Sequence, residues 1–412
     1  MHTEVTACRI CGNSNLVSVL NLGDQALTGV FPRSPEDALT VGPLELVKCV
    51  GEDKCGLVQL RHSYVLSEMY GENYGYRSGL NPSMVAHLRG KVERIKALDV
   101  LQPGDLVLDI GSNDGTTLSL YERDDLTLVG MDPTAEKFSQ YYKPPTQAIA
   151  DFFNAETFRK HFGDRKAKVI TSFSMFYDLE DPVGFVREIA EILDDNGIWT
   201  LEQSYMPLML DTNSYDTICH EHLEYYALAQ IEWIVGQCGL QVVDAECNDV
   251  NGGSFSIVVQ KIGGALPVSA AVHQMREREA ALGLNDLATY KAFEERVIAS
   301  REAFIAFLQK AKAEGKRVVA LGASTKGNVV LQYCGVSEDL IEAVGEVNPD
   351  KFGAVTPGTH LPIQDEAKVL AQTPDYAVVL PWHFRKFFEE QDRYSNLNLV
   401  YPLPVLEIRP GK

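Results

Sequence analysis

The chain has 412 residues, a formal net charge of −20 and a sequence pI near 4.9. A negative charge of this size repels nucleic acid and anionic membrane surfaces, so we expect neither as a partner. The sequence has no apolar run long enough for a membrane-spanning helix and no signal peptide features. We therefore expect a cytoplasmic protein of two or three domains, with reduced thiols.

Four cysteines near the N-terminus form two pairs. Cys8 and Cys11 have the spacing of a zinc knuckle, whereas Cys49 and Cys55 lie further apart, with glycines that allow a wider loop. Four thiolates close a tetrahedral structural zinc site that has no open position for chemistry. The pattern predicts a zinc-stabilised small domain, and the alternative is four cysteines without a common role.

The segment from Leu106 to Thr117 predicts a buried strand, a tight glycine turn and a helix. Gly111 and Gly115 let the backbone turn sharply and approach a ligand closely. The next apolar run ends in Asp132, where an acid meets ribose hydroxyls in doubly wound sheets. Acids inside a G-x-x-x-G turn suit a cationic sulfonium better than a pyrophosphate, so the pattern predicts the S-adenosylmethionine site of a class I methyltransferase. The alternative is a strand–turn–helix without a ligand.

The residues predicted to bind this cofactor lie in the glycine turn and after the following strands. They are Asp109, Gly111, Ser112, Asn113, Asp114, Gly115, Asp132, Pro133, Asp151, Phe152 and Ser172.

Strands alternating with helices predict a parallel sheet with helices on both faces. The predicted elements are short strands at Leu16–Leu22 and Leu44–Val47, a helix over residues 75–101, strands at Val169–Phe173 and Gly197–Glu202, a helix at Val183–Leu193, a turn at Asp194–Gly197, an antiparallel pair at Leu240–Ala245 and Ser254–Gln260, a helix over residues 285–314, and strands at Leu340–Val344 and Tyr376–Leu380. A second strand–glycine turn–helix at Arg317–Gly327 indicates another Rossmann-like unit, which we expect to begin near Gly263.

The predicted fold is therefore α/β, a class I methyltransferase Rossmann-like sheet between two further units. We expect a zinc-binding domain over residues 1–72, a methyltransferase domain over 73–262, and a C-terminal Rossmann-like substrate-binding domain over 263–412.

The segment His220–Tyr226 contains two imidazoles, two carboxylates and two phenols. It follows a predicted sheet strand, near the edge where doubly wound folds bind substrates. Because His220 and His222 are not spaced as H-E-x-x-H, they do not reproduce the metalloprotease zinc pair. A carboxylate such as Glu221 can orient a neighbouring imidazole for proton abstraction next to a carbonyl. A metal site and a structural hydrogen-bond cluster are the alternatives.

Together these residues resemble the sugar C-methyltransferases of deoxysugar biosynthesis, in particular the C-3-methyltransferases of nucleotide-linked 4-keto-deoxyhexoses. The resemblance covers essentially the whole chain. It rests on the two cysteine pairs, Tyr74–Ser78, Gly111–Gly115, His220–His222 and Gly322–Gly327.

The resemblance implies that His222 removes the proton beside the ketone, with Glu221 alongside it and Tyr76 helping to hold the enolate. The resulting carbon nucleophile would attack the methyl group of S-adenosylmethionine. The implied partner is a small molecule, a nucleotide-sugar, and we expect a monomer.

Two positions depart from the family and are included among the predicted catalytic residues. Asp178 stands where the family commonly has a histidine, and Cys219 where it commonly has a tyrosine. A thiol is a weak hydrogen-bond donor, so either Tyr177 or Tyr205 compensates or the acceptor differs. The alternatives are a methyltransferase of the same scaffold that acts on another small acceptor at carbon, oxygen or nitrogen, and a catalytically inactive binding protein.

Overall fold

The computed structural model describes residues 2–65 and 77–412. The strands are β1 (His2–Glu4), β2 (Leu16–Ala26), β3 (Val41–Cys49), β4 (Val58–Leu60), β5 (His62–Tyr64), β6 (Leu106–Ile110), β7 (Thr127–Met131), β8 (Gln147–Ile149), β9 (Ala167–Phe173), β10 (Leu193–Ser204), β11 (Glu224–Tyr225), β12 (Leu240–Asn248), β13 (Ser254–Lys261), β14 (Val318–Leu321), β15 (Val344–Glu346), β16 (Ile363–Asp365), β17 (Tyr376–Val379), β18 (Asn398–Tyr401) and β19 (Glu407–Arg409). The α-helices are α1 (Pro82–Ala97), α2 (Thr116–Ser119), α3 (Ala155–Phe162), α4 (Pro182–Ile192), α5 (Met206–Asp211), α6 (Leu228–Gln237), α7 (Ala270–Ala281), α8 (Leu287–Ala313), α9 (Thr325–Tyr333), α10 (Glu366–Leu370) and α11 (Arg385–Glu390).

The central sheet has the strand order β12-β13-β10-β9-β6-β7-β8. Its strands run parallel except for β13, which is antiparallel to both of its neighbours. Alternate residues of β6 enter different apolar clusters, with Leu108 in one and Val107 in the other. Because both faces of this strand are covered, its sequence is continuously apolar, and the predicted strand at Leu106–Ile110 is confirmed.

Three local predictions need correction. The first long helix is shorter than the predicted 75–101, because Asn81 caps it through Ser83 and Pro82 occupies its first turn. The predicted turn at Asp194–Gly197 lies within β10, where the pairing with β9 shifts between Leu193 and Ile198. The predicted strand Leu340–Val344 is displaced to β15.

The N-terminal sheet has the order β11-β4-β3-β2. Strands β2 and β3 are longer than predicted, since their pairing runs from Leu16 opposite Cys49 to Ala26 opposite Val41. Strand β11 follows the His220–His222 segment in the chain, yet it pairs with β4 of the cysteine-containing unit. The residues after the predicted catalytic motif are therefore held by the N-terminal sheet.

The C-terminal sheet has the order β16-β15-β14-β17-β18-β19, parallel except for β19. Its first strand, β14, leads through a glycine turn into α9, which Ser324 caps through the Gly327 amide. Helix α7, which lies within the predicted C-terminal domain, packs against the methyltransferase side, where Glu279 accepts hydrogen bonds from the first amides of α6. Within residues 2–65 and 77–412, no helix combines the length and apolar character needed to span a bilayer.

Candidate active site

The four N-terminal cysteines converge as the sequence predicts. Their sulfur atoms all lie within 4.8 Å of one another. The shortest separations are 3.4 Å between Cys8 and Cys55, 3.4 Å between Cys11 and Cys55, and 3.5 Å between Cys11 and Cys49. Tetrahedral zinc with Zn–S bonds of about 2.3 Å places its sulfurs about 3.8 Å apart. The cluster therefore fits a structural zinc ion.

The glycine turn after β6 adopts the left-handed backbone that its sequence predicts. Gly111 and Gly115 have φ values of +69° and +72°. A Cβ at Gly111 would lie 3.2 Å from the Met175 side chain, so the turn after β9 packs directly on this loop. At the end of β7, the Asp132 carboxylate accepts the Asn113 amide at 2.9 Å. Asp132, at the end of β7, thus contacts the glycine loop that is predicted to bind the cofactor.

The two acids within the loop region bind protein groups. Asp109 is buried in β6 and accepts a hydrogen bond from Thr171 at 2.5 Å. Burial raises the pKa of Asp109 to about 7, against the effect of that hydrogen bond. Asp114 accepts hydrogen bonds from Arg77 and from the Gly79 amide, at 3.2 and 3.0 Å. Asp109 therefore holds the strand, and Asp114 holds the segment that follows the undescribed residues, whereas their predicted contacts with the cofactor stay predictions.

The remaining predicted cofactor residues differ in exposure. Ser112 lies in the loop and hydrogen-bonds with the Tyr142 hydroxyl at 2.7 Å, and Pro133 follows Asp132. Asp151 and Phe152 are exposed beyond β8, and Phe152 leaves 60% of its surface open. Ser172 is fully buried and accepts the Trp199 indole N–H at 2.9 Å, and its predicted cofactor contact stays a prediction.

His222 is held in one tautomer. Its Nδ1 lies 2.8 Å from the Thr217 carbonyl oxygen, which can only accept, so Nδ1 carries the proton and Nε2 presents a lone pair. The ring packs edge-on against Tyr177 at 4.4 Å between centroids. Burial, with a smaller contribution from the charge of Lys326, lowers the pKa of His222 to about 4. A neutral imidazole that presents the Nε2 lone pair can act as a general base.

The other members of the motif face elsewhere. His220 is fully buried and packs edge-on against Tyr64 of β5, 4.6 Å between centroids. Glu221 turns toward the N-terminal unit, where its Oε1 lies 2.4 Å from the position a Cβ on Gly29 would take. The predicted role of Glu221 in orienting His222 is therefore corrected, because the Thr217 carbonyl holds that ring.

Asp178 and Cys219, the two positions that depart from the family, interact electrostatically with each other. Burial raises the pKa of Cys219 well above its usual value, and the charges of Glu221 and Asp178 add to this. The thiol is therefore protonated at neutral pH and is a weak nucleophile. Tyr205 donates its hydroxyl to Glu279 at 2.7 Å, so it does not compensate for the tyrosine missing at 219. Tyr76 lies outside the described residues.

An ion pair and hydrogen bonds connect the region of the cysteine cluster to the segment that follows the H-E-H motif. Arg9, between two zinc ligands, forms a buried ion pair with Glu224 at 3.5 Å. The Leu60 amide donates to the Leu223 carbonyl at 2.9 Å, and Gln230 donates to the Cys55 carbonyl at 2.7 Å. The segment after His222 is thus anchored to both sides of the cysteine site.

Sequence reasoning missed a buried ion network and a contribution from the C-terminal unit. Glu202 of β10 pairs with His87 and Lys91 of α1, each at 2.5 Å, which fixes α1 across the sheet. Asp216, just before the motif, accepts the Trp382 indole N–H at 2.8 Å from the C-terminal unit. The fold places the segment after β17 next to this loop, so residues far apart in the sequence come into contact. No local sequence pattern predicts such a contact.

Three family models match successive parts of the chain. They describe a proposed zinc binding domain at residues 8–70, a methyltransferase domain at 85–245 and a C-methyltransferase C-terminal domain at 249–404. The C-methyltransferase NovU of Streptomyces niveus is 28% identical over 412 residues, which cover 97% of this chain and 96% of NovU.

Solved structures also match. Magnesium protoporphyrin IX methyltransferase (ChlM) from Synechocystis PCC 6803, with bound SAM, is 15% identical with a TM-score of 0.33, covering 48% of this chain and 89% of ChlM. The mitomycin 7-O-methyltransferase MmcR is 12% identical with a TM-score of 0.35, covering 44% of this chain and 55% of MmcR.

Proposed function

We propose that the protein methylates the carbon next to the ketone of a nucleotide-linked keto-deoxysugar. The proposal is supported by the matches of successive parts of the chain to zinc-binding, methyltransferase and C-methyltransferase C-terminal models, and by the 28% identity to the C-methyltransferase NovU. The protein is an S-adenosylmethionine-dependent methyltransferase with a structural zinc site. When bound, S-adenosylmethionine supplies a methyl group on a cationic sulfur.

The observation that carries the proposal is the fixed tautomer of His222. With Nδ1–H donated to the Thr217 carbonyl, Nε2 is the acceptor and takes the proton from the carbon beside the ketone. The turn that contains Met175 and Tyr177 contacts both the cofactor loop and the proposed base, since Met175 packs on Gly111 and Tyr177 packs on His222. This turn sets the base at one side of the cofactor loop.

Other residues bind or position. We assign Gly111–Gly115 and Asp132 to the cofactor, together with the exposed pair Asp151 and Phe152, whose open ring suits stacking on an adenine. The resemblance assigns Tyr76 to the acceptor pocket. The acceptor enters a narrow cleft that Ser204, Thr217 and Gly252 line.

The test is labelled methyl transfer to a panel of nucleoside-diphosphate-linked 4-keto-deoxyhexoses. The α-carbon of each acceptor carries deuterium, and the products are analysed by mass spectrometry and NMR. We expect the label on carbon, with loss of one α-deuteron. Label on oxygen or nitrogen with the deuterium retained would favour the alternative of a heteroatom methyltransferase, and no labelled product from any ketone would overturn the proposal.

A further inference from the structure

We propose that Lys326, a residue of the C-terminal unit, is a catalytic residue that binds the acceptor oxygen on which negative charge develops. This inference rests on the proposed function, because an oxyanion forms only if a proton is removed beside a carbonyl. The active site is then completed by two units, the base from the methyltransferase side and the cation from the C-terminal side.

The backbone that presents Lys326 is tightly fixed. Gly322 has a φ of +82°, and a Cβ there would lie 2.8 Å from the Pro381 ring. A Cβ at Gly327 would lie 2.9 Å from Leu380. Ser324 accepts the Gly327 amide at 3.0 Å and so caps α9. The turn therefore packs on the chain that follows β17, and the Lys326 Cα has little freedom to move.

The Lys326 side chain leaves its own unit and enters the site. Its Nζ lies 3.7 Å from the position a Cβ on Gly252 would take, and Gly252 lines the acceptor cleft. Its charge acts on His222 and on His383, and it is attracted by Asp216. The ammonium thus lies next to one residue of the cleft, Gly252, and the His222 ring is held by another, Thr217.

A buried carboxylate, Asp216, interacts electrostatically with Lys326. Near Lys326, buried Asp216 uses one oxygen for Trp382, whereas its Oδ1 has no hydrogen-bond partner among the residues described. Buried polar atoms are normally satisfied, so an unpartnered one beside a lysine indicates a site for a polar ligand.

The ligand chemistry follows from the donor set. One ammonium beside a narrow cleft suits one oxygen atom, whereas a diphosphate is usually held by several donors. In a site largely closed to water, a fixed cation stabilises a developing oxyanion far more than it would in bulk solvent. Cys219, which borders the same region, offers only a weak S–H donor, so the lysine is the stronger contact for such an oxygen.

The proposed methyl transfer uses His222 as the base, Lys326 as the cation and S-adenosylmethionine as the methyl donor. The α C–H bond breaks, its proton moves to His222 Nε2, and its electron pair forms the C=C bond of an enolate whose oxygen pairs with Lys326. The α-carbon then attacks the sulfonium methyl group, so that a C–C bond forms, the S–CH₃ bond breaks to leave a thioether, and the C=O bond is restored. The proton on His222 is released to solvent.

The test compares Lys326→Gln, Lys326→Arg and Lys351→Gln in the full-length protein. Lys351 is a matched control, because its ammonium donates to the Ala323 carbonyl at 2.7 Å on the other side of the same glycine turn. The probes are the nucleoside-diphosphate-linked 4-keto-deoxyhexoses used above, and two rates are measured: methyl transfer, and exchange of the α-hydrogen with D₂O.

We expect Lys326→Gln to lower kcat and the exchange rate by about 10²–10³-fold with KM changed far less, as for the loss of one oxyanion donor. Lys326→Arg should recover part of the loss, and Lys351→Gln should retain both rates. S-adenosylmethionine binding by each variant verifies folding.

The outcomes separate the two proposals. A raised KM with unchanged kcat in Lys326→Gln would assign the lysine to substrate binding and overturn the inference, as would wild-type rates. If Lys326→Gln fails to fold, equal losses in Lys326→Arg and Lys351→Gln would overturn it, whereas a loss confined to position 326 supports it. A wild-type protein without activity or exchange on any probe would instead overturn the proposed function.

Discussion

The replacement of His222 by Asn tests the base assignment most directly. An asparagine Nδ2 can take the place of the imidazole Nδ1 and keep the hydrogen bond to the Thr217 carbonyl, so the loop keeps its anchor. What is lost for stability is the ring contact with Tyr177, worth about 0.5–1.5 kcal/mol. What is lost for catalysis is the Nε2 lone pair, and a general base contributes about 10²–10⁴-fold, or roughly 3–5 kcal/mol.

The two losses are measured separately. Urea unfolding gives the stability change, and single-turnover methyl transfer with saturating S-adenosylmethionine gives the rate. His220→Asn is the matched control, since its ring packs on Tyr64 in the N-terminal sheet and away from the cofactor loop. It should lose stability and retain the rate per folded molecule. If His222→Asn transferred methyl groups and exchanged the α-hydrogen at near wild-type rates, the reasoning from the tautomer would be refuted.

Three further outcomes are expected. Asp132→Asn removes the charged acceptor of the Asn113 amide and should weaken S-adenosylmethionine binding about 10- to 100-fold by calorimetry; unchanged affinity would contradict its cofactor role. Cys55→Ser should lower both zinc content and methyl transfer, because the chain beside Cys55 holds the segment after His222, and activity that survives zinc loss would contradict this coupling. Folded His222 has a pKa lowered to about 4 from 6.5, so its unfolded form binds more protons between these values. Stability should therefore fall as pH drops from about 6.5 to 4, which urea titrations at several pH values would check, and His222→Asn should weaken that dependence.

Local chemistry explains what the sequence predicted well. The cysteine spacing identifies the metal ligands because four thiolates arranged in two pairs close a tetrahedral zinc site. The β6 strand and its glycine turn are recognisable because a strand buried on both faces must be apolar and a sharp turn must contain glycine. Where Asn81 and Pro82 set a helix start, the periodicity of apolar residues alone misplaced the boundary.

The site itself depended on contacts between distant segments. The three residues of the H-E-H motif are consecutive, yet His220 faces β5, Glu221 faces Gly29, and His222 bonds to Thr217, which lines the cleft. Side chains in an irregular loop have no fixed period, so their directions follow from what packs around them.

The sequence by itself determined the chemical inventory: the zinc ligands, the cofactor loop and a histidine-rich segment after the fifth parallel strand. The tertiary structure decided which groups meet. It joined β11 to the cysteine-containing sheet and brought Lys326 next to Gly252, which lines the cleft. These contacts form because the three units bury their surfaces against one another. Burial against a segment that is distant in sequence produces no periodic pattern of apolar residues in either segment.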